Sequence, residues 1–208
     1  MHREILTTSQ QSALAVLSQS PEVQSFYLAG GTALALHLGH RTSVDFDLFR
    51  EETFDPQWLL RQLPTPPPVH VLQEARDTLT VEFRGVKTSF FAYRHSLVKP
   101  LEAGPSPIRL ASIPDIAAMK LTAIAGRGSR KDFVDIYFIC RQCFPLKEAF
   151  TYLQAKFTGQ EYDLYHILRS LTYFADAEGE PMPLLRTAET WEQMKHFLTS
   201  EAARLRLG

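Results

Sequence analysis

"YLAGGTALALHLGHRTSVDFDLF", residues 27–49, runs a glycine pair and a short apolar segment into two aspartates separated by one residue. "SFYLAG" has the composition of a short strand stopping at Gly30 and Gly31, and "TALALHLG" suits a helix of about two turns ending at Gly39. "SVDFDLF" then alternates Val44, Phe46 and Leu48 with Asp45, Asp47 and Phe49, the pattern of a half-buried strand. On such a strand the two carboxylates share a face, with roughly 6–7 Å between their β-carbons. They repel unless a cation or ample water stands between them. A hard divalent ion, Mg²⁺ or Mn²⁺, relieves that repulsion, because it takes carboxylate oxygens, keeps several waters and completes its shell with phosphate oxygens. The glycines supply the complementary half: without β-carbons a phosphate can approach the main chain, and the following helix start offers unpaired N–H groups and a positive dipole end. Thr32 can add a hydroxyl there. Each half alone is also what a plain strand-to-helix turn or a solvated sheet face would show. In this order they describe a nucleoside-triphosphate site with Asp45 and Asp47 as metal ligands.

Working outward, residues 6–19 carry apolar positions at helical spacing, and Pro21 is read as their stop. "DPQWLLRQL" is a helix with Asp55 as cap and Pro56 at its first position; "PTPPP" at 64–68 is a stiff connection. "VHVLQEARDTLTVEFRGVKTSFFAY" reads as three strands, the last two joined in a hairpin around Arg84 and Gly85. After Pro100 the composition changes. "IRLAS" is short and extended, and from Ile113 onward the pattern is helical, near 114–126, 130–141, 146–156, 161–174 and 187–205. The expected class is therefore α+β, with a mixed-sheet domain over 1–105 and an all-helical domain over 106–208.

A second constellation lies in "DIAAMKLTAIAGRGSRKDFVDIYFI", residues 115–139. Lys120 and Arg127 fall on one helix face about two turns apart. Gly126 and Gly128 end that helix near Arg127, where the guanidinium can reach a phosphate. Asp135 is flanked by Phe133, Val134, Ile136, Tyr137, Phe138 and Ile139, so its carboxylate needs a cation: Lys120, Arg127 or Arg130. Lys120 could instead snorkel, and Asp132 could simply complement a helix N-terminus.

"AGGTALALHLGHRTSVDFDLF" resembles the Gly-Gly, helix and D-x-D core of polymerase-β-like nucleotidyltransferases. It is closer still to the first motif of the AbiEii/AbiGii-type toxin nucleotidyltransferases. "KLTAIAGR" and "RKDFVD" are similar to the second and third motifs of that toxin group, and the resemblance spans roughly residues 26–140. It implies a polymerase-β-like domain whose active-site cleft is completed by the helical half. It also implies Mg²⁺-dependent transfer of a nucleotide from an NTP to an RNA acceptor, a tRNA 3′ end foremost. By the resemblance, Asp45, Asp47, Lys120, Asp132 and Asp135 are catalytic. Gly30, Gly31, Thr32, Arg41, Ser43, Lys120 and Arg127 bind the nucleotide phosphates, and "RGSRK" at 127–131, with His40 and Arg41 at the rim, holds the RNA. A cognate antitoxin and a monomeric, cytoplasmic protein are further expectations.

One departure from the superfamily stands out. A third carboxylate is expected near Ser89 on "GVKTSFFAY", and none is there. Glu82 lies one strand earlier, so the general base is Glu82, Asp132, Asp135 or none. Transfer to a protein hydroxyl, or non-catalytic NTP binding by a regulatory module, are the competing readings.

At 45% hydrophobic and 22% charged, the chain is globular, and a net charge of −1 confines any nucleic-acid contact to a local basic patch. No stretch reaches the length of an apolar membrane span, and "MHREILTTSQ" lacks a signal-peptide pattern. Cys140 and Cys143 form a lone CxxC, without the further ligands of a zinc site, and are read as packing residues.

Overall fold

Local signals place the first elements. Thr7 and Gln10 make a capping box that opens helix α1, Thr8–Leu17. Pro21, expected to be only a stop, also starts a short helix, α2 (Pro21–Gln24), because its ring suits the first helical position and Ser20 caps the turn. Strand β1 (Tyr27–Ala29) leads directly into α3 (Gly30–Leu38), which ends at Gly39 in the left-handed conformation with φ +65°. Strand β2 covers Phe46–Arg50, and Asp55 with Pro56 opens α4, Pro56–Gln62. Strands β3 (His70–Ala75), β4 (Thr78–Phe83) and β5 (Val86–Ala92) follow; the turn between the last two has positive φ at both Arg84 and Gly85, as a tight two-residue hairpin requires. The pair Arg109–Leu110 forms β6.

These elements come from a computed structural model that describes residues 1–64, 69–159 and 163–205. The "PTPPP" connection falls, after Pro64, outside the described residues. The chain divides into two compact units, Met1–Ser112 and Ile113–Gly208.

In the first unit the six strands form one mixed sheet in the order β3-β4-β5-β2-β1-β6. The pairs β1/β2, β3/β4 and β4/β5 are antiparallel, whereas β2/β5 and β1/β6 are parallel. Phe46, Leu48, Leu28, Phe90, Leu79 and Val81 make one face fully buried core. The other face carries Asp47 and Phe49, both half-buried. This alternation matches the period of the strand, so burial of Phe46 and Leu48 fixes the face on which Asp47 stands.

The second unit is helical: α5 (Ile113–Arg127), α6 (Arg130–Gln142), α7 (Leu146–Lys156), α8 (Leu164–Ser170), α9 (Ala175–Glu178) and α10 (Trp191–Arg204). Two expected helices are shorter than their sequence patterns. Asp163 caps α8 and turns follow Ser170, while Thr190 makes a capping box with Gln193 that sets the start of α10. Asp115 and Lys156 form a buried ion pair of 2.7 Å between α5 and α7.

Candidate active site

The start of α3 is built by close approach. Gly30 has φ +64°, and a β-carbon there would lie 2.6 Å from Asp47 Oδ2. A β-carbon on Gly31 would lie 2.5 Å from the Arg41 guanidinium and 3.1 Å from Ser43 Oγ. The glycine pair thus lets one carboxylate and one guanidinium come against the first turn of a helix, where N–H groups lack intrahelical partners. Gln10 holds the connecting loop, donating to the Ser43 carbonyl at 2.8 Å, and Arg41 donates to the Thr42 carbonyl at 2.9 Å. Gly30, Gly31, Arg41, Ser43, Asp45 and Asp47 are brought together.

Three expectations change here. Thr32 is buried and gives its hydroxyl proton to the Asp45 carbonyl, so it positions Asp45 rather than offering a donor to phosphate. Asp45 precedes β2 rather than standing in it. His40 and Arg41 are only 1% and 4% exposed, so they are interior residues and not a rim for RNA.

The third carboxylate is replaced by hydroxyls. Ser89 on β5 is the direct cross-strand partner of Asp47, and its Oγ accepts from Thr80 Oγ1 at 3.2 Å. Glu82 is exposed on β4, two strands from β2, opposite Lys87. It is therefore not beside Asp47. No group of three or more carboxylate, imidazole or thiol side chains placed to hold a metal occurs among the described residues. Two carboxylates without softer ligands suit Mg²⁺, which is commonly held by one or two carboxylates together with water and substrate phosphate.

In the second unit, Lys120 Nζ lies 2.7 Å from Asp132 Oδ1 and 2.5 Å from Asp135 Oδ2, and both aspartates are fully buried. Arg127, more than half exposed, reaches Asp132 through Nε at 2.8 Å and Nη2 at 3.1 Å. Burial opposes the charge on Asp132, but Lys120 and Arg127 together outweigh it and hold its pKa below the ordinary carboxylate value. Arg130, the third candidate partner, goes elsewhere: its guanidinium donates to the carbonyls of Ala177 and Glu178 and lies 4.9 Å over the Trp191 ring. The "RGSRK" segment is consequently not a free basic patch. Two of its three cations are bound within the unit, and Lys131 is exposed.

Glu180 was not legible in the sequence. It accepts from Ser129 Oγ at 2.7 Å and from the Arg130 N–H at 2.9 Å, capping α6 from a distant part of the chain. Local spacing carries no signal for such a contact. Cys140 and Cys143 are free thiols, and burial, with help from Glu201 and Cys143, pushes Cys140 up to about 12. That suits a packing residue rather than a reactive thiolate, whereas Cys143 is exposed and is not the packing residue expected.

The chain matches the family described as "Nucleotidyl transferase AbiEii toxin, Type IV TA system" over residues 12–66 and 67–204. It is similar to an uncharacterized protein of Aquifex aeolicus (strain VF5), with 38% identity over 196 residues, 92% of this chain and 93% of that protein. Among solved structures its fold is similar to that of the nucleotidyltransferase toxin MenT4 (Rv2826c) of Mycobacterium tuberculosis H37Rv. That likeness has a TM-score of 0.66 at 18% identity, covering 95% of this chain and 82% of MenT4. JHP933 of Helicobacter pylori has a TM-score of 0.55 at 16% identity, covering 94% of this chain and 88% of that one. The α+β fold is thus that of nucleotidyltransferases, and the chain belongs to the AbiEii nucleotidyltransferase toxin family.

Proposed function

We propose that this chain transfers a nucleotide from an NTP to a hydroxyl of an RNA acceptor, a tRNA 3′ end foremost, with release of pyrophosphate. The observation that carries the reading is the seating of Asp47 against Gly30 and of Arg41 against Gly31 at the first turn of one helix. Asp45 and Asp47 would hold Mg²⁺, which when bound neutralises charge on the attacking hydroxyl and the α-phosphate. The first-turn N–H groups of α3, with Ser43, bind the leaving pyrophosphate through backbone and hydroxyl donors, and Arg41, 4% exposed against Gly31, adds positive charge there. Thr32 fixes the main chain at Asp45, which keeps the two carboxylates in register with the glycine turn.

The family resemblance assigns Lys120 and Arg127 to the NTP phosphates. Both oxygens of Asp132 are already engaged by these two cations, so Asp132 acts as their positioning residue rather than as a base. Asp135 holds Lys120 in the same way. Membership of a toxin family also points to a cognate antitoxin as a partner. No helix among the described residues is long and apolar enough to cross a membrane.

The experiment is to incubate the protein with each α-labelled NTP, Mg²⁺ and total tRNA. Label on RNA supports the reading, label on protein favours a protein acceptor, and Mg-dependent NTP binding without transfer favours a regulatory module. Asp47→Ala is expected to lower transfer at least about a hundredfold, equivalent to about 2.7 kcal/mol of barrier. Parent-level labelling by that variant would sink the metal assignment.

A further inference from the structure

The sheet face that carries Asp47 continues, two residues further along the strands, into a row of aromatic side chains. Tyr27, Phe49 and Phe91 are cross-strand partners on β1, β2 and β5, just as Ala29, Asp47 and Ser89 are in the row before. The rings of Tyr27 and Phe49 lie 6.1 Å apart at 27°, and those of Phe49 and Phe91 5.2 Å apart at 32°. Tyr93 meets Phe49 edge-on at 5.6 Å, and His95 meets Tyr93 at 4.6 Å. Phe49, Phe91, Tyr93 and His95 are half-buried, whereas Tyr27 is buried at 6% exposure and reaches the surface only where it lines a cavity.

A cavity of about 170 Å³ opens at the edge of this row, lined by Tyr27, His95, Arg109, Ser25 and Glu51, among others. Arg109 is the β6 partner of Tyr27, so it extends the same row. It is exposed and makes no side-chain hydrogen bond or ion pair among the described residues. The volume is of the size of one heterocyclic base. Its walls combine the Tyr27 and His95 rings with the guanidiniums of Arg50 and Arg109, a hydroxyl and the carboxylates of Glu51 and Glu52, groups that recognise a base by stacking and by its polar edge. The distance also fits. Two residues of strand cover roughly 6.6 Å, so a nucleotide with its phosphate at the Asp47 row reaches the aromatic row with its base.

We propose that the Tyr27–Phe49–Phe91 row and the cavity bounded by Tyr27, His95 and Arg109 form a nucleobase subsite. The base belongs either to the incoming NTP or to the terminal nucleotide of the acceptor. The proposal rests on the nucleotidyl-transfer reading for its choice of ligand. Stacking on the aromatic rings supplies affinity tolerant of base identity, and Arg109 meets the polar edge of the base.

The test titrates the parent, Tyr27→Leu, His95→Leu and Arg109→Gln with inorganic tripolyphosphate, with each NTP and with an unstructured oligoribonucleotide, all with Mg²⁺. Tripolyphosphate has no base, so its affinity is expected to stay at the parent level in every variant. Affinity for base-bearing ligands is expected to fall about tenfold in Tyr27→Leu, the scale of losing one stacked base. Loss confined to NTPs identifies the donor base as occupant, and loss confined to the oligoribonucleotide identifies the acceptor base. Parent-level affinity for both in all three variants overturns the proposal. Arg109→Gln, at an exposed position, keeps the test decisive if Tyr27→Leu does not fold. The transfer assay with Asp47→Ala judges the other reading separately: base binding that depends on Tyr27 without any transfer would remove the enzyme and leave the subsite.

Discussion

The protein carries two pairs of aspartates, and the two units treat them in opposite ways. Asp45 and Asp47 are half-buried, Asp47 beside a helix start where Gly30 makes room for it, whereas Asp132 and Asp135 are fully buried and tied to Lys120 at 2.7 and 2.5 Å. A carboxylate that remains hydrated can exchange water for a cation or a phosphate-bound metal. A carboxylate sealed against an ammonium group is already neutralised in place, and its remaining use is to hold that ammonium group. On the proposed reading the same residue type would serve as metal ligand in the first unit, while in the second it is scaffold.

Removal of the lysine breaks this contrast most severely. Lys120→Met takes the ammonium group away from two buried carboxylates, and the expected loss is about 3–5 kcal/mol of unfolding free energy, read by urea denaturation. Adding Asp132→Asn and Asp135→Asn to that variant should recover much of the loss. A smaller effect is expected in the first unit, from Gly30→Ala. Its positive φ and the nearby Asp47 oxygen together cost about 1–2 kcal/mol, and transfer activity falls because Asp47 is displaced. Gly31→Ala has no such φ; its β-carbon meets the flexible end of Arg41, so the fold is expected to survive while affinity for tripolyphosphate falls. Equal stability losses in the two alanine variants would contradict this division.

The smallest effect is the most diagnostic of the buried set. Asp132 has a folded pKa below its ordinary, unfolded value, so the unfolded chain binds the proton first as pH falls. Its contribution is complete above the ordinary carboxylate range and is lost as pH falls through the depressed folded value. Arg127→Gln removes one of the two cations responsible and should move the onset of acid unfolding to higher pH. At neutral pH that variant should cost only about 0.5–1 kcal/mol, because the guanidinium is largely solvated. An unchanged acid midpoint would mean that Lys120 alone sets the charge on Asp132.

The sequence was most legible where the determinants are adjacent. Asp55 before Pro56, Gly39 after an apolar helix, and Arg84-Gly85 between two alternating segments each fix an element through its own turn chemistry. Pro21 misled because the same ring that ends one helix suits the first turn of another. The site was less legible. Ser89, the place the family resemblance marks for a third carboxylate, does stand beside Asp47, but the parallel register of β2 and β5 that puts it there is not encoded by local spacing alone. The cation needed by Asp135 was narrowed to three residues by burial. Only packing in the helical unit gives Lys120 to both aspartates and sends Arg130 to the carbonyls of Ala177 and Glu178.

The reach of Glu180 back to α6 has a consequence for the order in which the molecule is made. The N-terminal turn of α6, next to Asp132, gains that cap from a residue 50 positions later, and Lys156 reaches Asp115 across 41. At a ribosomal pace of about 5–20 residues per second, several seconds separate synthesis of Arg130 from that of Glu180. Throughout that interval the Lys120–Asp132 assembly lacks its finished support. Any activity that draws on Lys120 is thus completed late in translation, after the mixed sheet has already emerged.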